Sequence, residues 1–494
     1  MEEEWSNPPR WPQRILKRLC SDRHFEILQG DLFELYEHRL QTKGKRKAKL
    51  HFIKDTFDML RPFALKKQRK QKLNHTDMFK NHIKIGWRNI TRYKGHSTIN
   101  ILGLAFGLAC CIVIFRYVKD ELSYDKFHDK ADRIHRIIYS TNDDRTPSNA
   151  NGSFGPAPAM ANDFPEVEAY TRLYMVGRGQ KIVMKHNQNN FYEDKFFFAD
   201  SSFFDVFTFP MLQGNPKTAL KTPNSIVITQ STAKRYFGDT NPMGELLEAD
   251  VESNGQKKQY RVTGIVKDTP SNSHFKFDVL ASFSSLDPRL SNAWGGFWQV
   301  FSYVVLNSEA KAADLDSDLE KYTEKYMGVD QDWYQLSLQP LLDIHLASNL
   351  KAEISANSSY TKIIIFSAVG VLIFLIACIN FLTLSTARSS RRAKEVGVRK
   401  TFGAHRNQLF GQFMSEALLN GLIATIFALI ISHLAFPFIN NLTDKDLALV
   451  MSNGIVEVIV MAILAVALVT LMAGLYPALF LSAFKPITAL RSVA

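Results

Sequence analysis

Four long apolar runs, at residues 98–118, 362–387, 411–439 and 455–484, limit what this chain can fold into. Each has the ~20 residues that a helix needs to cross a bilayer. The charges between them are sorted rather than mixed. Residues 1–97 carry 23 Lys/Arg against 11 Asp/Glu, and residues 388–410 carry seven against one. Residues 119–361 reverse the balance, with 25 against 32. Basic flanks and short basic loops stay on the cytoplasmic side of a membrane. The sorting therefore places both termini and 388–410 inside, and 119–361 outside. Nucleic acid is the other common partner of a basic chain, but no recognition module accompanies the charge. No nucleic-acid partner is expected.

The loop between the second and third runs reads RSSRRAKEVGVRKTFGAHRNQLFGQFMSE from Arg388 to Glu416. Glu395 is the single acid before Glu416. Arg391 lies four residues before it and Arg399 four after, so on a helix it can pair with either. Gly403 and Ala404 follow Lys400, Thr401 and Phe402 and suit a helix end, with Gly403 at C′. A new helix then starts near His405 and continues as the third span. Val396, Val398 and Phe402 are too apolar for a purely solvated turn. A short helix with a basic face and an exposed apolar edge suits docking into a groove on a cytoplasmic protein.

Residues 1–72 read as a small cytoplasmic helical domain. Ile15, Leu16 and Leu19, then Phe25, Leu28, Leu32, Leu35 and Tyr36, then Leu50, Ile53, Phe57 and Leu60 recur at helical spacing. The polar faces are basic, and are either solvated or set against anionic lipid or an acidic partner. Residues 77–97 form an amphipathic helix with Phe79, Ile83, Trp87, Ile90 and Tyr93 on one stripe, which suits the membrane interface. In the first span Gly103 and Gly107 make a GxxxG face for helix packing or a dimer contact. Arg116, at its far end, is placed to snorkel toward water.

Residues 119–361 are too long and too polar for a loop. Strand-like runs at 134–140, 226–229, 260–266, 275–283, 301–306 and 334–338 alternate irregularly with helical stretches at 231–236 and 312–326. That pattern predicts α+β layering. The whole reads as a multi-pass α-helical membrane protein with four transmembrane helices, a large extracytoplasmic α+β domain and a small N-terminal cytoplasmic helical domain.

Catalytic motifs are missing. There is no GxxxxGK[ST], HExxH or GxSxG. The chain is not expected to be an enzyme, to hold a cofactor or to bind a metal. Asp125, His128, Asp129, Asp132 and His135 cluster after the first span, but they lie in an amphipathic stretch and read as a solvated face. Glu416 and Glu457 sit at span edges and His433 toward the outer end of the third span. No charge falls at the midplane, which argues against a proton- or ion-driven transporter.

At this point the residues resemble a known family. KEVGVRKTFGAHRNQLFGQFMSEALL resembles the cytoplasmic coupling segment of the FtsX-like permeases of ABC transporters, the group that includes MacB-type pumps. Residues 83–109 are similar to that family's interfacial helix and first span. Residues 224–245 and 260–280 are similar to its MacB-like periplasmic core domain, here 119–361. GLYPALFLSAFKPITALR (474–491) is similar to its closing motif, within an FtsX-like permease domain at 362–494. Residues 10–65 resemble a permease prefix domain. The resemblance implies a separate ABC ATPase subunit that binds the ATP, contacted through Glu395, Gly397, Arg399, Lys400, Gly403 and Ala404. It also implies a place in the bacterial cytoplasmic (inner) membrane. The implied mode is mechanotransmission, in which ATP-driven closure of the ATPase moves the outer domain for export or extraction of a substrate. A signalling role, controlling an envelope hydrolase or a sensor without moving substrate, stays open. Many prefixed relatives carry two permease halves, and this chain shows one. A homodimer, pairing with another half, or a piece of a longer two-half chain is therefore expected.

Overall fold

The structure, a computed structural model, describes residues 8–19, 22–64, 75–140, 148–176, 181–251, 257–295, 299–309, 312–327, 335–386, 396, 398–443, 445–449 and 455–483. The chain divides into two compact units, Met1–Ile85 and Gly86–Ala494.

The first unit packs the helices Arg10–Leu19, Asp22–Lys43 and Lys45–Ala64. Gly44, at φ +76°, makes the sharp break between the last two. Leu16, Leu32, Tyr36, Ala48 and Phe52 form the core. The face of the third helix differs from the sequence pattern. Ala48, Phe52 and Thr56 point inward, whereas Leu50 is 69% and Phe57 48% exposed. Spacing shows which residues share a face, not which face docks. Small Ala48 lets the helix approach closely, and Phe52 meets Tyr36 edge-on at 5.4 Å, which fixes the choice.

Among the described residues, four helices are long and apolar enough to cross a membrane: Lys94–Glu121, Tyr360–Ser385, Arg406–Thr443 and Ile455–Met472. The amphipathic helix His75–Arg92 precedes the first of them and ends earlier than its sequence pattern suggests, at a break on Tyr93. The first and third spans are 28 and 38 residues long, about 42 and 57 Å. Both exceed the thickness of a hydrocarbon layer of about 30 Å and are long enough to span it with tilt. The third span begins five residues before the apolar run that marks it.

Small residues set the bundle's spacing. A Cβ on Gly107 would lie 2.5 Å from the Ala377 Cβ, and one on Gly103 would lie 3.2 Å from Asn380 Nδ2. The GxxxG face thus packs on the second span of the same chain. Gly474 meets Ala417 in the same way where the third and fourth spans cross. Ile364, Ile376, Leu434 and Ile463 point outward, each more than half exposed, as side chains that face lipid do.

Between the first and second spans lies a mixed domain, in which the described residues build a 12-stranded sheet. Its strands are β1 (Ile134–Ser140), β2 (Val167–Met175), β3 (Ile182–His186), β4 (Asn189–Glu193), β5 (Phe196–Ala199), β6 (Met211–Gly214), β7 (Ser225–Thr229), β8 (Leu246–Asp250), β9 (Lys258–Val266), β10 (Val279–Ser282), β11 (Val300–Leu306) and β12 (Gln335–Pro340). The order is β12-β1-β11-β2-β5-β10-β7-β9-β8-β3-β4, with β6 beside β9. Only the β5–β10 and β7–β9 pairs are parallel among the described strands.

β5 shows why alternation misses part of this sheet. Phe197 and Ala199 enter one core cluster while Phe196 and Phe198 enter another, so both faces are buried and the strand reads as a continuous apolar run. The helix Ala312–Met327 covers β1, β11 and β12 through Leu315, Leu319 and Tyr322. The run at 275–283 is strand only over β10. Phe275 and Phe277 are instead core side chains on an irregular approach.

Candidate functional site

Among the described residues of the second unit, two sites stand out, a turn with exposed apolar side chains at one end of the bundle and a buried set of ion pairs at the other. The first is the basic end. Val398–Phe402 closes a short helix in a Schellman turn: Ala404 N donates to Arg399 O at 3.0 Å, and Gly403 N to Lys400 O at 3.0 Å. Gly403 sits at φ +90°, a conformation glycine adopts without steric cost. Gln408 Oε1 accepts from His405 N at 3.1 Å and starts the next helix. Arg399 Nη1 donates to Gln412 Oε1 at 2.7 Å, which ties the turn to the first turns of the third span.

Val396, 3% exposed, packs on Leu409 and Phe413. Beyond that contact the turn presents Val398, 41% exposed, and Phe402, 87% exposed. Lys400 is half-buried beside them, and Ala404 ends the turn. Of the six residues singled out from sequence, Arg399, Lys400, Gly403 and Ala404 share this turn. Glu395 and Gly397 lie outside the described residues. The amphipathic helix His75–Arg92 and the start of the first span brace the same end. A Cβ on Gly86 would touch Leu419 at 3.4 Å, and His96 Nε2 lies 3.0 Å from Leu384 O of the second span.

The second place is the end that meets the mixed domain. Arg116 does not snorkel: it is fully buried. Its Nη1 donates to Glu457 Oε1 at 2.7 Å, and Nε and Nη2 donate to Ala448 O at 3.0 Å and Leu449 O at 2.6 Å. The carbonyls come from the link before the fourth span, so protein rather than water solvates the guanidinium. Lys119 also donates to Glu457.

One turn further, Lys445 Nζ sits between Asp120 and Glu121, 2.7 Å from Glu121 Oε1. Burial lowers the Lys445 pKa, but the bonds to Asp120 and Glu121 outweigh it and hold it above the ordinary range. Glu121 Oε2 also meets His345 Nε2 at 3.1 Å. The His345 ring stacks on Tyr124, with centroids 3.3 Å apart. His345 belongs to the helix Ile344–Ala347, on the segment that returns from the domain to the second span.

The first span then grips the sheet. Asn272 Nδ2 donates to Ser123 O at 3.1 Å, and Asp125 N donates to Asn272 O at 2.9 Å. Asp125 Oδ1 lies 2.9 Å from His274 Nδ1, and His274 Nε2 lies 2.8 Å from the Tyr303 hydroxyl on β11. A neighbouring clamp pairs Arg136 on β1 with Glu353 at 2.5 and 2.9 Å. Burial raises the Glu353 pKa, but the Arg136 hydrogen bond and charge bring it below the usual range.

The cluster at 125–135 therefore divides. Asp129 and Asp132 are exposed, but Asp125, His128 and His135 are buried, which overturns the solvated-face reading for those three. His128 Nδ1 accepts from Thr208 N at 3.0 Å, and burial pushes the imidazole down to about 4. No group of three metal-ligating side chains is assembled among the described residues.

Sequence reasoning missed this joint. Its members, 116–125, 345 and 445–457, are far apart in the chain. The one local signal was an acidic pair, Asp120 and Glu121, directly after an apolar run and a lysine.

Two family models match the chain. Residues 97–322 match a MacB-like periplasmic core domain, and residues 367–486 match an FtsX-like permease C-terminal domain. The uncharacterized ABC transporter permease YvrN of Bacillus subtilis is 20% identical over 83% of this chain and 99% of its own length. The macrolide export ATP-binding/permease protein MacB of Mannheimia succiniciproducens is 23% identical over 58% of this chain, and the match spans only 42% of that longer protein. Among solved structures, a permease domain from Porphyromonas gingivalis aligns over 43% of this chain and 92% of its own, at 24% identity and a TM-score of 0.37. With its core domain, its permease domain and its four membrane helices, the chain belongs to the MacB-like and FtsX-like family of ABC transporter permeases.

Proposed function

We propose that this chain is the membrane subunit of an ABC transporter that takes force from a separate ATPase and delivers it to the mixed domain. The basic ends and 388–410 lie in the cytoplasm, and the mixed domain lies outside the cytoplasmic membrane. One observation carries the reading. Phe402 is 87% exposed at the tip of a turn whose backbone is fixed by Gly403 and whose Arg399 is bonded to the third span. A large aromatic held out on a rigid support is how a docking knob is built. Displacing it pushes on the third span, which packs on the first span, and the first span is locked into the domain through Glu121 and Asp125.

ATP belongs to the partner in this account. The chain supplies the contact: Val398 and Phe402, the fixed turn of Arg399, Lys400, Gly403 and Ala404, and, by resemblance, Glu395 and Gly397. Two permease halves, in a homodimer or a mixed pair, give the ATPase pair its symmetric footing. The work done at the outer face is export or extraction of a substrate.

The test is reconstitution with a cognate ABC ATPase in nanodiscs. Phe402→Asp is expected to abolish the permease-dependent change in ATP turnover while the protein keeps its melting temperature. Unchanged turnover and unchanged binding of the ATPase in that variant would refute the proposal.

A further inference from the structure

The first unit carries an apolar stripe on the wrong side of a soluble helix. On Lys45–Ala64 the core side is Ala48, Phe52 and Thr56. The opposite side presents Lys47, Leu50, Lys54 and Phe57, at spacings of three, four and three, with Arg46 at its edge. Leu50 and Phe57 are 69% and 48% exposed. Trp11, 49% exposed on the first helix, lies beside Phe57 with ring centroids 6.2 Å apart. The patch is thus a row of three large apolar side chains bordered by three cations.

Of the two acids on this helix, Asp58 borders the face. Asp55 is turned toward Arg39, which donates to it. A groove on a protein that took Leu50 and Phe57 alone would not call for a cationic border. A bilayer with anionic headgroups calls for both: apolar side chains enter the acyl boundary, a tryptophan sits at headgroup level, and lysines and arginines meet the lipid phosphates. The ten-residue link to the membrane-bound part, 65–74, adds five further Lys/Arg in sequence.

We infer that the N-terminal unit docks on the anionic cytoplasmic leaflet through Leu50, Phe57 and Trp11, with Arg46, Lys47 and Lys54 on the lipid phosphates. The site rests on the cytoplasmic placement proposed above. It does not depend on the ATPase contact, so each can fail alone. Docking would hold the unit against the membrane until its charge is screened or a competing partner lifts it.

The test uses the full chain with its four native cysteines replaced, carrying Leu50→Cys labelled with an environment-sensitive fluorophore. In liposomes containing phosphatidylglycerol, the account expects a blue-shifted probe quenched by spin-labelled lipid, with both effects lost at high salt. Lys47→Glu with Lys54→Glu should lower the docked fraction by about tenfold or more. Both are exposed positions, and a label at Phe57→Cys should respond in parallel. A probe that stays water-exposed in anionic liposomes overturns the inference. Shielding that persists in phosphatidylcholine alone and tracks protein density points instead to a second copy, and shielding only with the ATPase present points to a protein partner. Either outcome also overturns it.

Discussion

Arg116 of the first span donates to Glu457 of the fourth span at 2.7 Å, and no part of the Arg116 side chain reaches solvent. A buried charge stripped of its partner is costly, about 3–5 kcal/mol, whereas replacing both partners with apolar groups can be close to neutral. Glu457→Leu should therefore lower the melting temperature sharply in detergent. Arg116→Met combined with Glu457→Leu should recover much of the loss. An additive loss in the double variant would show that the pair is not a unit.

Lys445 is the bolt of the joint between bundle and domain. Lys445→Met leaves Asp120 without its cation, while Glu121 keeps His345 beside it. The expected result is faster amide exchange in 344–347 and 120–125, with the far end of the bundle unchanged. Asp120→Asn on top of Lys445→Met should restore part of the protection. Equal exchange in wild type and Lys445→Met would show that the joint is held elsewhere.

His128 should make the mixed domain acid-sensitive. Its pKa is about 4 when folded, against about 6.5 when unfolded. The unfolded state binds the proton first, so stability is full above pH 6.5 and falls as the pH drops toward 4. The loss across that window is about 3 kcal/mol. Asp125 and His274 face the ring, and Thr208 N donates to it. His128→Gln should flatten the dependence of melting temperature on pH between 7.5 and 5. An identical slope in both proteins would remove His128 as the cause.

Gly107 has no room for a side chain. Its Cβ would stand 2.5 Å from the Ala377 Cβ, so Gly107→Ala should cost about 1–3 kcal/mol as the helices are forced apart. Ala377→Gly in the same chain should return most of that stability. If Gly107→Ala instead leaves stability intact and weakens dimers, the GxxxG face serves association between chains.

How much of this was legible in the sequence depended on where each signal sits. The spans were, because twenty apolar residues in a row have few other uses, and the Gly403 turn was, because glycine after a short basic helix has a local meaning. β1 was read to the residue, since Ile134–Ser140 shows its pattern within itself. β4 was missed because Asn189–Glu193 is a largely polar edge strand. β5 was missed because burial on both faces erased its alternation. Leu50 was placed on the right stripe but the wrong side, since periodicity carries no information about which side docks. The ion pairs of Arg116, Lys445 and His345 were invisible for a different reason. Each looks like an ordinary flanking charge until the fold brings residues 120 and 445 together.

The central claim is that force enters at Phe402 and leaves through the mixed domain. It is tested most directly by spin labels at Tyr192→Cys, on the β4 edge, and Leu442→Cys, near the end of the third span, 66% and 77% exposed respectively. The distance between them would be measured in nanodiscs with the cognate ATPase, with and without ATP. The account predicts an ATP-dependent shift in wild type that disappears in Phe402→Asp. An unchanged distance in wild type, or the same shift in Phe402→Asp, would contradict it.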